Sequence, residues 1–273
     1  TVLRRVAARL GSMTNDARME ELDLRPDRAD VIVPAAHIYL RVAELAGVPE
    51  VVVPHVGVKE GVLLDLVEDV TTHTLHADRQ ERQIYGAALA LGRRYRFDEA
   101  HGRQVAMLAL SLFDQLQELH ELGEADRRIL LGAALLHDIG QYVSYRKHHK
   151  HSLYLIQHGD LSVYSPGEIP LVALVARYHR RAKPKPHHFL WQDLDGDDRS
   201  RVLRLASLLR VADSLDREHL QRVSAVTPRV EPDRVVLAVE GHGDLLLERW
   251  ALEKKGRLFA DTFGRTPVIA NRG

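Results

Sequence analysis

An apolar helical run, Ile129, Leu130, Leu131, Ala133, Ala134, Leu135 and Leu136, leads straight into His137-Asp138-Ile139-Gly140. Such a run belongs in a core, and an ionised carboxylate delivered to a core is costly unless it is paired or bound to a metal. Whatever surrounds Asp138 must therefore be built to receive a negative charge. An imidazole nitrogen beside a carboxylate oxygen is a donor pair suited to divalent first-row metals. The pair alone is a weak signal, and further donors have to come from elsewhere in the chain.

The region that would supply them is helical almost throughout, from Arg79 to about Arg222. His101, Val105, Leu108, Leu112 and Leu116 recur every three to four residues, which predicts one face of a long helix ended by Gly123. Glu124-Ala125-Asp126 puts acids at the start of the next helix, the one that delivers His137-Asp138. Further helices are predicted over Pro170 to Tyr178 and Arg201 to His219, with a loop between them holding Pro184, Pro186 and the acids Asp193 to Asp198. The period then shortens. Val223 to Val226 with Val230, and Val235 to Val239, read as two strands. A helix through Leu245, Trp250 and Phe259 follows, and Pro267 to Ala270 reads as a last strand.

Ahead of this region, residues 1 to 22 alternate charged and apolar residues at helical spacing. Tyr39, Leu40, Val42 and Leu45, stopped by Gly47, predict a short helix. Val51-Val52-Val53 reads as a buried strand, and Gly57 to Gly61 as a turn before Val62, Leu63, Leu64 and Leu66. One strand makes no sheet, so its partners must lie elsewhere. The polar stretch 68 to 80, with Thr71-Thr72-His73-Thr74, marks a boundary. The fold class is mainly α, in three parts: 1–75, then a helical domain over 76–222, then a small α/β tail over 223–273.

His101 sits on the apolar face of its helix, where an unpaired imidazole is hard to justify. Asp213 lies inside an apolar helix and wants a cation, which Arg210 or Arg217 could supply at helical spacing. A purely structural account of each of these residues is therefore available. The order His101, His137-Asp138, Asp213, each on its own helix, resembles the ligand pattern of the HD metal-dependent phosphohydrolases. The metal would be Mg, Mn or another first-row divalent ion. Eight of the 16 histidines fall between His137 and His188, and a second metal would draw on that cluster, with His151 and His179 as its candidates.

The resemblance extends further. Arg28-Ala29-Asp30-Val31-Ile32-Val33-Pro34-Ala35, Gly57-Val58-Lys59-Glu60-Gly61, Glu248-Arg249-Trp250-Ala251-Leu252-Glu253-Lys254 and Phe263-Gly264-Arg265 look like the Ppx/GppA phosphatases. That likeness implies that residues 1 to about 67 end a second actin-like lobe, and that the chain from about 79 onward is the HD-like domain of the family's longer members. It implies hydrolysis of terminal phosphoanhydride bonds of polyphosphate or of guanosine penta-/tetraphosphate, by a cytoplasmic homodimer. In this family the phosphate-binding glycine loops and the catalytic glutamate lie in sequence before the part matched here. No such motif occurs among these residues, so no catalytic residue is assigned. The alternative is a non-catalytic module for polyanion binding or dimerisation.

Charge supports an anionic ligand. Arg146, Lys147 and Lys150, and Arg180, Arg181 and Lys183, form two basic runs in a chain whose net charge is zero. The bland reading is two solvated loops. Neutral overall charge and the lack of aromatics interleaved in either run argue against nucleic acid, Tyr145 and Tyr178 being isolated. The chain has no cysteine, hence no disulfide framework, no signal peptide is visible, and no run approaches the length of a membrane span.

Overall fold

The computed structural model describes residues 2–48, 50, 51, 61, 62 and 73–270, the side chains of 73–78 excepted. The chain divides into two compact units, Thr1–Thr71 and Thr72–Gly273.

The first unit holds α1 (Val2–Ser12), α2 (Asn15–Leu22), α3 (Pro26–Ala29) and α4 (Ile32–Ala46). Thr14 caps α2 by accepting from the Ala17 N–H, and Gly47 ends α4 in the left-handed region. Helix α4 begins seven residues ahead of the expected Tyr39, because Pro34 falls in its first turn, where a missing N–H costs nothing. Arg18 is buried and donates to the carbonyls of Leu10, Met13 and Ala29, tying α1 to α3. The strand expected over Val51 to Val53 and the turn over Gly57 to Gly61 fall outside the described residues, apart from Val51 and Gly61. Among the described residues this unit has no strand.

The second unit is built around α8 (Glu124–Leu136), whose residues Ile129 to Leu136 are all buried. It is surrounded by α5 (His73–Arg94), α6 (Glu99–Gln115), α10 (Glu168–Arg177) and α11 (Gly196–Ser214). His101, Val105, Leu108 and Leu112 do form the buried face of α6. That helix ends at Gln115, and a short turn α7 (Gln117–His120) intervenes before Gly123. Asp98 and Asp195 cap α6 and α11. Beyond α8 come a 3-10 turn over Ile139–Tyr142 and α9 (His148–Gln157).

The tail carries β1 (Val223–Val230), β2 (Arg234–Gly241), α12 (Leu246–Lys255), α13 (Arg257–Phe263) and β3 (Thr266–Ile269). Strand β1 pairs antiparallel with β2, and β3 runs parallel to β2. The single helix expected after β2 is two helices, parted at Gly256, where a Cβ would meet the Leu252 carbonyl and the Pro267 ring at 2.7 and 2.8 Å. Val223, Val226, Val235 and Leu237 join the same apolar cluster as α8 and α11. Helix α6 also bonds β1 directly, through Gln104 to the Val223 carbonyl and Gln115 to the Val226 carbonyl. The tail is thus laid onto the helical core, which brings α12 to the end of α11 where Asp213 sits.

Candidate metal centre

Four helices deliver imidazoles to one point, and each imidazole has its Nδ1 already committed. His101 on α6 donates from Nδ1 to Asp216 Oδ2 at 2.8 Å. His137, at the end of α8, donates to the Ala134 carbonyl at 2.7 Å. His148 at the start of α9 donates to Tyr145 at 3.0 Å, and His179 just after α10 to Ala176 at 2.6 Å. A neutral imidazole that gives its Nδ1 proton away keeps a lone pair on Nε2. All four are buried.

Those Nε2 atoms face one another and two carboxylates. His101 and His137 Nε2 are 3.2 Å apart, and Asp213 Oδ1 lies 3.7 and 3.9 Å from them. His148 and His179 Nε2 are also 3.2 Å apart, with Asp138 Oδ1 at 3.0 and 3.3 Å. The other oxygen of Asp138 is 3.9 Å from His137 Nε2. Ligand atoms of the sets His101–His137–Asp213 and Asp138–His148–His179 lie within 4.8 Å of one another. With metal–ligand bonds of roughly 2.0–2.2 Å, neighbouring donors on one ion stand about 3–3.5 Å apart. Lone pairs opposed at this distance repel, and Asp138 Oδ1 is buried with no hydrogen-bond donor. An N/O donor set of this kind fits a divalent ion.

The electrostatics differ from residue to residue: burial would lower His101, but Asp216, Asp213 and Asp138 raise it above its ordinary value. Burial drives the His137 imidazole down to about 4, so it stays neutral. Burial would raise the Asp213 carboxyl, but Lys255 and the histidines outweigh it and hold it well below the usual carboxylate range. Asp138 is likewise held far down, burial being opposed by His137, His148 and His179.

Two supports lock this geometry. Ser152 on α9 donates to the His137 carbonyl at 2.7 Å and accepts from the Gly140 N–H at 3.0 Å. A Cβ on Gly140 would lie 2.2 Å from the His148 carbonyl oxygen, so only glycine allows α9 this close. Arg210, nearly fully buried, donates to the carbonyls of Tyr178 and Ala182 and fixes the segment bearing His179. Its guanidinium is thus taken up by these carbonyls rather than by Asp213, which helical spacing also put within its reach; Lys255 of α12 bonds Asp213 instead.

The sequence-predicted residues separate as follows. His101, His137, Asp138, Asp213 and His179 come together. His151 is absent from both sets and from the third such group, His101–Asp138–His219, and His148 stands in its place. In α9 the buried face runs through His148, Ser152 and Leu155, and His151 lies off it, half-buried. A cleft of about 170 Å³ opens beside Asp138, His148, His179 and Asp213. Of the six basic residues only Arg180 and Arg181 line it. Lys183 pairs with Asp261 at 2.5 Å and lines another hollow, while Arg146, Lys147 and Lys150 are exposed elsewhere. Sequence reading missed Arg217, His219, Trp250, Lys254 and Lys255 on the cleft. His219 stacks on His101 with centroids 3.6 Å apart and bonds Asp98 at 2.8 Å from a left-handed backbone, φ 58°.

Residues 86–254 match the family model described as Ppx/GppA phosphatase, domain III. A guanosine-5'-triphosphate,3'-diphosphate pyrophosphatase of Vibrio cholerae serotype O1 is 29% identical over 228 residues, 82% of this chain and 43% of the relative. The protein of that name from Vibrio campbellii is 28% identical over 81% of this chain and 43% of the relative. The one from Photobacterium profundum is 25% identical over 70% and 37%. The chain thus spans less than half the length of the curated relatives it matches. Since the family model covers more than half of the 273 residues, the chain belongs to the Ppx/GppA phosphatase family.

Proposed function

We propose that the unit 72–273 is the metal- and phosphate-binding HD-like domain of a phosphatase that hydrolyses terminal phosphoanhydride bonds of pppGpp or polyphosphate. One observation carries this reading: Asp138 Oδ1 is buried without a hydrogen-bond partner while four Nε2 atoms converge around it and Asp213. Buried anions and lone pairs so arranged are stable with a cation among them. His101, His137, Asp138 and Asp213 would hold one Mg, Mn or other first-row ion, and His148 and His179 with Asp138 a second. A bound divalent ion lowers the pKa of attached water and offsets charge on a phosphoryl group. The chain's own residues do the rest. Asp216 orients His101, Lys255 keeps Asp213 anionic, and Arg180, Arg181 and Arg217 receive phosphate oxygens from the cleft side. The proposal carries with it a homodimeric, cytoplasmic whole enzyme.

A second reading, binding of a polyanion without turnover, is favoured by the cleft's acids. Asp138 and Asp213 are the only carboxylates among the described lining residues, and both stand in ligand positions, leaving no further carboxylate there to act as a base.

Calorimetric titration of the purified chain with Mn2+ tests metal binding. Saturable binding that disappears in Asp138→Ala is expected, and no saturable binding by the unsubstituted chain would defeat the proposal. Phosphate release from tripolyphosphate and pppGpp then separates the two readings: metal-dependent turnover lost in Asp138→Ala marks a catalytic centre, and background release from a metal-loaded chain marks a binding one.

A further inference from the structure

Helix α12 brings an aromatic ring to the cleft. Trp250 is 47% exposed, although its neighbours Glu248, Ala251 and Leu252 are buried. It lines the same cleft as Asp138, His148 and His179. Lys254, one turn on, places its Nζ 5.9 Å from the indole centroid, and the next residue, Lys255, is bonded to Asp213. Five helical residues rise about 7.5 Å. The indole is therefore held on the cleft wall about that far along α12 from the residue that grips the metal centre. A second exposed ring, Tyr145, lines the cleft as well, and so do Arg180, Arg181 and Arg217.

Cations account for phosphate. They do not account for two exposed rings at the same opening, and an inorganic polyphosphate has no surface that a ring could pack against. A nucleobase has one, and stacking on an aromatic side chain is sequence-tolerant and worth a measurable part of binding. The two basic runs contain no interleaved aromatics; the fold supplies the ring instead from α12, about 70 residues further along the chain than Arg180 and Arg181.

We propose that Trp250 is the base-stacking residue of a nucleotide subsite, laying its indole against the base of a phosphorylated nucleoside whose phosphates reach Arg180, Arg181 and Arg217 beside the metal centre. The inference rests on the phosphate-binding reading of this cleft and selects, among its ligands, those that carry an aromatic ring. Lys255 serves it indirectly, because its bond to Asp213 fixes where α12 presents the indole.

Calorimetry of the full chain with Mn2+ can compare ATP with inorganic tripolyphosphate, which share the triphosphate chain and differ in the nucleoside. ATP is expected to bind about tenfold more tightly. Trp250→Leu keeps apolar bulk on α12 and should erase that advantage while leaving tripolyphosphate affinity unchanged; Trp250→Phe should retain most of it. ATP no tighter than tripolyphosphate, or both ligands weakened equally by Trp250→Leu, overturns the subsite. Titration with Mn2+ alone distinguishes the two failures. Mn2+ bound without a preference for ATP removes the subsite and leaves the metal reading, whereas no Mn2+ binding removes the metal reading itself.

Discussion

Asp216 accepts the Nδ1 proton of His101 at 2.8 Å with both side chains almost wholly buried. The Gln221 N–H also donates to Asp216, at 2.7 Å, so the carboxylate is held from two sides. A carboxylate behind a ligating histidine fixes its tautomer and raises its basicity. Asp216→Ala should therefore weaken Mn2+ binding by roughly 10- to 100-fold, although Asp216 belongs to neither ligand set. Calorimetry reads this directly, and an affinity equal to the unsubstituted chain's would show that His101 does not depend on Asp216.

Gly140→Ala should loosen one half of the centre. The added methyl would sit 2.2 Å from the His148 carbonyl oxygen and 2.4 Å from the Ser152 nitrogen, both backbone atoms of α9. Pushing α9 outward costs about 1–3 kcal/mol by overpacking. It also carries His148 away from Asp138, while His101, His137 and Asp213 lie on other elements. Urea denaturation should show the lower stability, and metal analysis should show loss of one ion with the other retained.

Lys255→Met removes the ammonium from Asp213 and leaves a buried carboxylate facing His101 and His137. Without metal the cost should be about 3–5 kcal/mol, since stripping one partner from a buried pair strands the other charge. A divalent ion restores the missing positive charge, so Mn2+ should raise Tm more in this variant than in the unsubstituted chain. An equal rise in both would mean that Lys255 does not neutralise Asp213.

Acid should act through His137. Burial lowers its imidazole to about 4 from an ordinary 6.5. Between those values the unfolded chain takes up a proton that the folded chain refuses, so stability falls as pH drops from 6.5 toward 4. The full effect is roughly 3 kcal/mol. His101 runs the opposite way. Burial would lower it, but Asp216, Asp213 and Asp138 raise it, so its contribution is complete below 6.5 and is lost as pH rises through its folded value. Comparing urea midpoints at pH 7 and pH 5 in the unsubstituted chain and in His137→Asn isolates the first term: the loss on acidification should be smaller in the variant.

The burial of His101 and Asp213 was legible because each lies inside a helix whose buried face the apolar spacing already marks. His101 shares a face with Val105, Leu108 and Leu112, and Asp213 ends the apolar run of α11. The α/β tail was legible from the change of period at Val223. His148 was not distinguishable from His151, because a basic run with three residue types in six positions has no apolar stripe to set the phase of α9. Lys255, Trp250 and Arg217 carry no local signal of function. They reach the cleft only because β1 docks on α6 and α12 returns to α11, a tertiary fact that no spacing encodes. Arg210 shows the opposite error: helical proximity to Asp213 suggested an ion pair, and the carbonyls of Tyr178 and Ala182 claim its guanidinium instead.

Asp138 turns one oxygen toward His148 and His179 and the other toward His137. A single carboxylate divided between two donor sets ties their occupancies together. The first ion to arrive would draw on the shared anion and set its rotation, and the second would meet a partner already turned and partly neutralised. With both proposed ion sites in use, loading would be a sequence of unequal steps, and scarcity of metal in the surroundings would be felt first at the weaker position, grading the centre between two states of charge.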